Sequence, residues 1–151
     1  MKLWKIGELS RCQSHPLAKT LLMLLDTNIV SYIYRSDTRA GLYTPHLTGQ
    51  TLYLSFMTLA ELLRWPLERN WSAVKAQHLE EWIDQRFVLL PSDRELARTW
   101  ARLVGITCRA RPVSLSDSWI AATALHYSLP LVTHNRRHFE DIPGLNLISE
   151  A

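Results

Sequence analysis

A wholly apolar run, Leu21 to Leu25, ends on Asp26, and this junction limits what the chain can fold into. Five consecutive apolar residues cannot alternate between core and solvent, so the run reads as a strand buried on both faces. Burial on both faces is the condition of a parallel sheet with helices above and below it. A carboxylate at the end of such a strand is costly unless it is solvated, paired or bound to a cation. Asp26 therefore either caps the helix that follows or belongs to a site.

The rest of the chain repeats the strand–helix alternation. Thr27 and Asn28 offer capping groups for a helix over IVSYIYR. Residues 36 to 50, rich in Gly, Pro, Thr and Asp, read as a turn or irregular helix entry. TLYLSF (51–56) is a second strand, and Thr58 precedes LAELLRW, a helix expected to stop at Pro66. WSAVKAQHLEEWIDQR (71–86) has helical spacing, and FVLLP (87–91) is a third strand. Ser92 is the expected cap of a helix from Asp93 to Arg109, with Glu95 in the capping-box position. Arg111-Pro112 breaks it, Ser114 or Ser116 caps DSWIAATALHYS, and LPLVT (129–133) is a fourth strand. HNRRHFEDIPG is a loop or short helix before the last strand, LNLI (145–148). Strands separated by helices imply right-handed parallel crossovers. The expected fold is α/β, a three-layer α/β/α sandwich with a central parallel sheet.

With 151 residues the chain fits one such domain. Residues 1–20 show no sustained period and read as an extension, either a flexible arm or an over-extended start of the reading frame; the compact domain is expected over 21–151. The two cysteines, Cys12 and Cys108, form no CxxC and no Cys/His array, which argues against structural zinc and a disulfide framework and for a reduced, cytoplasmic chain. No apolar run approaches the roughly 20 residues of a membrane span. Neither GxGxxG nor GxxxxGK[ST] occurs, so dinucleotide and P-loop readings lack their anchor. A net charge of +3 permits an anionic partner without demanding one.

In parallel sheets the working site lies beyond the carboxyl ends of the strands. That rule selects Asp26, directly after the first strand. It also brings in Glu61, the lone acid in an apolar helical segment, and Asp117, in the first turn of an apolar helix. Each has an ordinary alternative: a helix cap, an exposed helix face, a charge favoured by the helix dipole. Three carboxylates on one rim would repel one another without a cation, and oxygen-only ligands suit Mg²⁺ or, as a substitute, Mn²⁺. Such an ion activates phosphodiester hydrolysis.

Taken in order, LLDTNIVSYI, TLAELLRW, RPVSLSDSWIAATAL and LPLVTHNRRHFEDIPGLNLI closely resemble the PIN-domain toxins of the VapC family, the ribonucleases of type II toxin–antitoxin systems. The resemblance covers about Leu21 to Ile148. It implies a PIN-like fold, Mg²⁺-dependent endonucleolytic cleavage of RNA, a homodimer, and inhibition by a cognate VapB-like antitoxin. The family's three acids fall on Asp26, Glu61 and Asp117 as catalytic residues and metal ligands. Thr27 and Asn28 match the polar residues that support the first acid, and Thr133 matches the residue that points at the site from the last strand before it. Asn135 stands where many PIN domains carry a fourth acid, which favours one strongly held ion over two. A non-cutting PIN-like module that binds RNA or protein is the alternative this departure motivates.

Candidate RNA contacts are the helical stripe Arg94, Arg98 and Arg102, and the group Arg136, Arg137 and His138. His134 reads as a surface or RNA-contacting residue rather than a general base. The tryptophans read as packing residues, with Trp65 and Trp71 chosen as a dimer or antitoxin contact. A phosphatase of the HAD type also begins with an Asp after its first strand but needs a second acid two residues on, where this chain has Asn28.

Overall fold

All five strands of the central sheet run parallel. The structure is a computed structural model that describes residues 21–107 and 113–151. The segment 1–20, with Trp4 and Cys12, and the stretch 108–112, with Cys108, Arg109 and Arg111, lie outside the described residues. The strands are β1 (Leu22–Leu25), β2 (Thr51–Leu54), β3 (Val88–Leu89), β4 (Leu131–Val132) and β5 (Leu147–Ile148), in the sheet order β3-β2-β1-β4-β5. The helices are α1 (Thr27–Tyr34), α2 (Ala40–Leu47), α3 (Phe56–Glu68), α4 (Ala73–Arg86), α5 (Arg94–Thr107), α6 (Leu115–Tyr127) and α7 (Arg136–Phe139).

The central strand explains the layers. Successive side chains of β1 point to opposite faces. Met23 and Leu25 enter one core with Ile29 and Val30 of α1, Tyr43 of α2, Leu62 and Trp65 of α3, and Leu79 and Ile83 of α4. Leu24 enters the other with Leu96 and Leu103 of α5, Ile120 to Ala122 of α6, and Phe139 of α7. The expected three-layer α/β/α sandwich with a parallel sheet is therefore the observed fold. The small residues of α6 let it pack closely against α5, where Trp100 stacks on Trp119 at 4.6 Å between ring centroids. The Trp100 indole donates to Ser118 Oγ at 2.9 Å, so this half-buried ring keeps its polar edge satisfied.

Several local expectations are corrected. Pro66 does not stop α3, which continues to Glu68 with Pro66 buried inside it. Its packing in the core outweighs the one helical donor a proline lacks. Helix α3 starts earlier than expected, at Phe56, and Ser55 caps it: its hydroxyl accepts from Thr58 N at 3.0 Å. Asp93, not Ser92, caps α5, accepting from Leu96 N at 2.8 Å. Ser114 caps α6. Residues 36 to 50 contain the regular helix α2, which the sequence hides because only Tyr43 is buried and Pro45 sits inside it. The Tyr43 hydroxyl ties that helix to the sheet end, donating to Thr133 O at 3.2 Å and lying 2.8 Å from His134 Nδ1. Trp65 is only 8% exposed and packs in the core, whereas Trp71 is half-buried against it and is the more accessible of the two.

Sheet order fixes where a site can form. From β1 the chain steps outward to β2 and β3, then returns to the opposite side of β1 as β4. The carboxyl ends of β1 and β4 thus flank the topological switch point, where open parallel sheets leave a crevice. Leu25 pairs with Val132 in register, which sets Asp26 level with Thr133.

Candidate active site

Asp26 leaves β1 in an extended conformation and caps α1, so the cap and the site readings are both satisfied by one side chain. Its Oδ1 accepts from Thr27 N at 2.7 Å. Its Oδ2 accepts from Asn28 Nδ2 at 2.7 Å and from Thr133 Oγ1 at 2.6 Å. Asn28 Oδ1 in turn accepts from His134 N at 3.1 Å, and Thr133 Oγ1 accepts from Asn135 N at 3.0 Å. These bonds lock the end of β1 to the end of β4 and fix the carboxylate's orientation.

Glu61 lies on α3 and faces the same crevice, where its carboxylate accepts from the Thr27 hydroxyl. Asp117 lies in the first turn of α6, where Ser114 Oγ donates to its Oδ2 at 2.7 Å. His138 Nδ1 sits 3.0 Å from that same oxygen. Asp26, Thr27, Asn28, Glu61, Asp117 and Asn135 all line one open cleft. The residues selected from the sequence as site or contact residues separate here. The three acids, Thr27, Asn28 and Asn135 share the cleft, and Thr133 supports it from beneath. Arg94 and Arg98 do not reach it; they lie on the solvent side of α5, and Arg98 pairs with Glu95. Arg136 pairs with Glu140 at 3.4 Å, and Arg137 lines an adjoining hollow with Asp117 and His138.

Electrostatics marks the centre of the cleft. Burial pushes the Asp26 carboxyl up from 3.8 to about 6, with the Thr133 hydrogen bond opposing and the charges of Asp117 and Glu61 adding to the rise. The two other acids thus act on Asp26 through the cleft, and the hydrogen bonds from Thr133 and Thr27 offset only part of the rise. This is the condition under which a hard divalent cation is favoured. The fit is an open one. Among the described residues no three His, Cys, Asp or Glu side chains gather into a ready cage. Mg²⁺ commonly keeps several waters and takes only one or two carboxylates, so an open acidic rim suits it. Asp26, Asp117 and Glu61 are the residues that could hold it.

The cleft also contains residues that the sequence did not assign to it: Ser31, Arg35, Trp65, Arg69, Ser116 and His138, which contacts Asp117. A signal for several of them was present. Thr27, Ser31 and Arg35 recur every fourth residue along α1, and Glu61, Trp65 and Arg69 recur every fourth residue along α3. Side chains at that spacing share a helix face. Once Thr27 and Glu61 are placed in the cleft, their stripes carry Arg35 and Arg69 into it.

The sequence profile of the PIN-domain family matches residues 23–145. Ribonuclease VapC1 of Haemophilus influenzae (strain R2866) is 28% identical over 129 residues, spanning 83% of this chain and 95% of the relative. Among solved structures, VapBC from Salmonella typhimurium bound to DNA aligns with a TM-score of 0.72 and 26% identity, over 86% of this chain and 98% of that one. VapBC2 from Rickettsia felis, bound to a DNA fragment from its promoter, has the same fold, with a TM-score of 0.74 and 21% identity over 87% of this chain and 100% of the other.

Proposed function

This chain belongs to the PIN-domain family, and on that premise we propose that it is the toxic component of a type II toxin–antitoxin system, an Mg²⁺-dependent endoribonuclease. The observation that carries the reading is Asp26: a buried carboxylate at the switch point of the sheet, with Glu61 and Asp117 facing the same cleft. The similarity to Ribonuclease VapC1 supports RNA as the substrate. Similarity to the Salmonella typhimurium VapBC complex supports a VapB-like antitoxin as the partner. A homodimer acting in the cytoplasm belongs to the same reading. No helix among the described residues is long and apolar enough to cross a membrane.

The chain's own residues divide the work. Asp26, Asp117 and Glu61 would hold the cation. When bound, Mg²⁺ supplies Lewis-acid polarisation of the phosphodiester and activation of water for in-line attack. Thr133 and Asn28 hold the Asp26 carboxylate in one orientation, and Thr27 does the same for Glu61. Preorganised ligands of this kind spare the site the cost of ordering at the moment of reaction. Ser114 and His138 position Asp117 from the opposite wall. Asn135, on the rim, offers an amide where an acid would add charge; it can orient a phosphate or a bound water.

The test is cleavage of RNA by the purified protein. The reading predicts internal cuts in Mg²⁺ or Mn²⁺ and none in EDTA. The Asn135 substitution motivates one other reading, a module that binds RNA or protein without cutting. RNA binding with no cleavage in either metal would favour that module and overturn the nuclease.

A further inference from the structure

One end of the cleft is cationic, and the proposed chemistry does not use it. Arg35 and Arg69 end α1 and α3, and both guanidiniums lie over the ring of Trp65, at 5.5 and 5.2 Å from its centroid. Both arginines are exposed, whereas the tryptophan beneath them is buried. The buried ring therefore serves as a floor that orients two charges toward solvent. Four other surface arginines are spent on local ion pairs: Arg39 with Asp37, Arg64 with Glu68, Arg98 with Glu95, and Arg136 with Glu140. Among the described residues Arg35 and Arg69 form no such pair with a carboxylate. The line of charge continues outward, because Arg69 also lies 6.0 Å from the Trp71 ring and Lys75 Nζ lies 3.9 Å from it.

The spacing suits a strand of nucleic acid. Eight helical residues separate Thr27 from Arg35, and eight separate Glu61 from Arg69, which is about 12 Å along each axis. A phosphate held at the acidic end thus leaves its neighbours, a few nucleotides along, beside the two guanidiniums. A planar guanidinium matches a phosphate's paired oxygens.

We propose that Arg35 and Arg69, seated on Trp65, form a subsite that grips the RNA backbone a few nucleotides from the bond to be cut. The proposal rests on the reading of this protein as a ribonuclease. It assigns the cationic end of the cleft to binding and strand placement, and the acidic end to chemistry.

The test measures binding of a fluorescein-labelled single-stranded RNA by anisotropy across a salt series. The full chain carries Asp117→Asn so that the strand stays intact. Arg35→Gln/Arg69→Gln is compared with Arg94→Gln/Arg98→Gln, which removes the same charge from the distant face of α5. All four side chains are exposed, and circular dichroism melts check that each variant folds. The subsite predicts at least a tenfold loss of affinity for the first pair. It also predicts a salt slope flatter by about 0.7 per phosphate released, against little change for the second pair. Equal effects of the two pairs would overturn the subsite in favour of general attraction. Unchanged RNA binding with lost binding of a polyglutamate peptide would overturn it too, and would assign the two arginines to an acidic protein partner. If the parent protein binds no RNA, the ribonuclease reading itself fails, an outcome distinct from either of these.

Discussion

Asp26 is 4% exposed and faces two other acids, which holds its carboxyl at about 6 instead of 3.8. The sign of the consequence follows from linkage. A folded-state value above the unfolded one means that the metal-free fold binds the extra proton. The stabilising contribution of Asp26 is complete below about pH 4 and is lost as the pH rises through about 6. At neutral pH the ionised group costs the metal-free fold about 3 kcal/mol. A cation held at Asp26, as proposed, would relieve that cost, and a proton would compete with it. The gain in melting temperature from saturating Mg²⁺ over EDTA is therefore expected to be large at about pH 7.5 and to shrink toward about pH 5. A gain independent of pH would remove Asp26 from the metal site. Thr133→Val tests the orientation of the same carboxylate. Loss of the 2.6 Å hydrogen bond should weaken Mg²⁺ affinity about 10- to 100-fold, read by titration calorimetry, with the fold retained. An unaltered affinity would make Thr133 a packing residue only.

Two helices carry most of the cleft, and their starts are set by single side chains. Asp26 begins α1, and Ser55, fully buried, begins α3. Ser55→Ala is expected to cost about 1 kcal/mol in a denaturant melt, through loss of the cap on Thr58 N. It should also lower cleavage, because α3 presents Glu61; full stability would mean that backbone geometry alone holds the helix start. At this scale the sequence was legible where periodicity or burial wrote it plainly. The apolar run into β1, the parallel alternation and the buried α6 all follow from patterns of apolar residues. Asp26, which ends the run, and Asp117, which opens α6, follow with them. Glu61 was visible mainly through resemblance, since an acid on an amphipathic helix has no distinctive pattern. Helix α2 was hidden because its stability comes from Tyr43 reaching the end of β4, a contact remote in sequence. Pro66 misled because a proline's local cost says nothing of its packing. The arginine stripe on α5 drew attention by its regularity, but regular charge is also what a solvated face requires. Arg35 and Arg69 were readable only after the fold had shown which faces of α1 and α3 meet.

For the whole molecule, strand order decides the function as much as any residue does. Placing β4 beside β1 brings Thr133 to Asp26, and the passage of α6 over the sheet brings Asp117 to the same crevice. Acid and base then divide the cleft along α1 and α3, with the carboxylates at the sheet end and Arg35 and Arg69 at the far end. On the proposed function, a strand bound across this gradient would place its scissile phosphate at the acidic end and its flank on the guanidiniums. The measurement that tests this account most directly is RNA cleavage over an Mg²⁺ titration by the unaltered protein, Asp26→Asn, Asp117→Asn and Glu61→Gln. The account predicts metal-dependent internal cleavage by the unaltered protein. Either aspartate variant should lose about 100-fold or more in rate, and Glu61→Gln should need more metal. Cleavage at an undiminished rate by Asp26→Asn or Asp117→Asn, in protein shown to be folded, would contradict it.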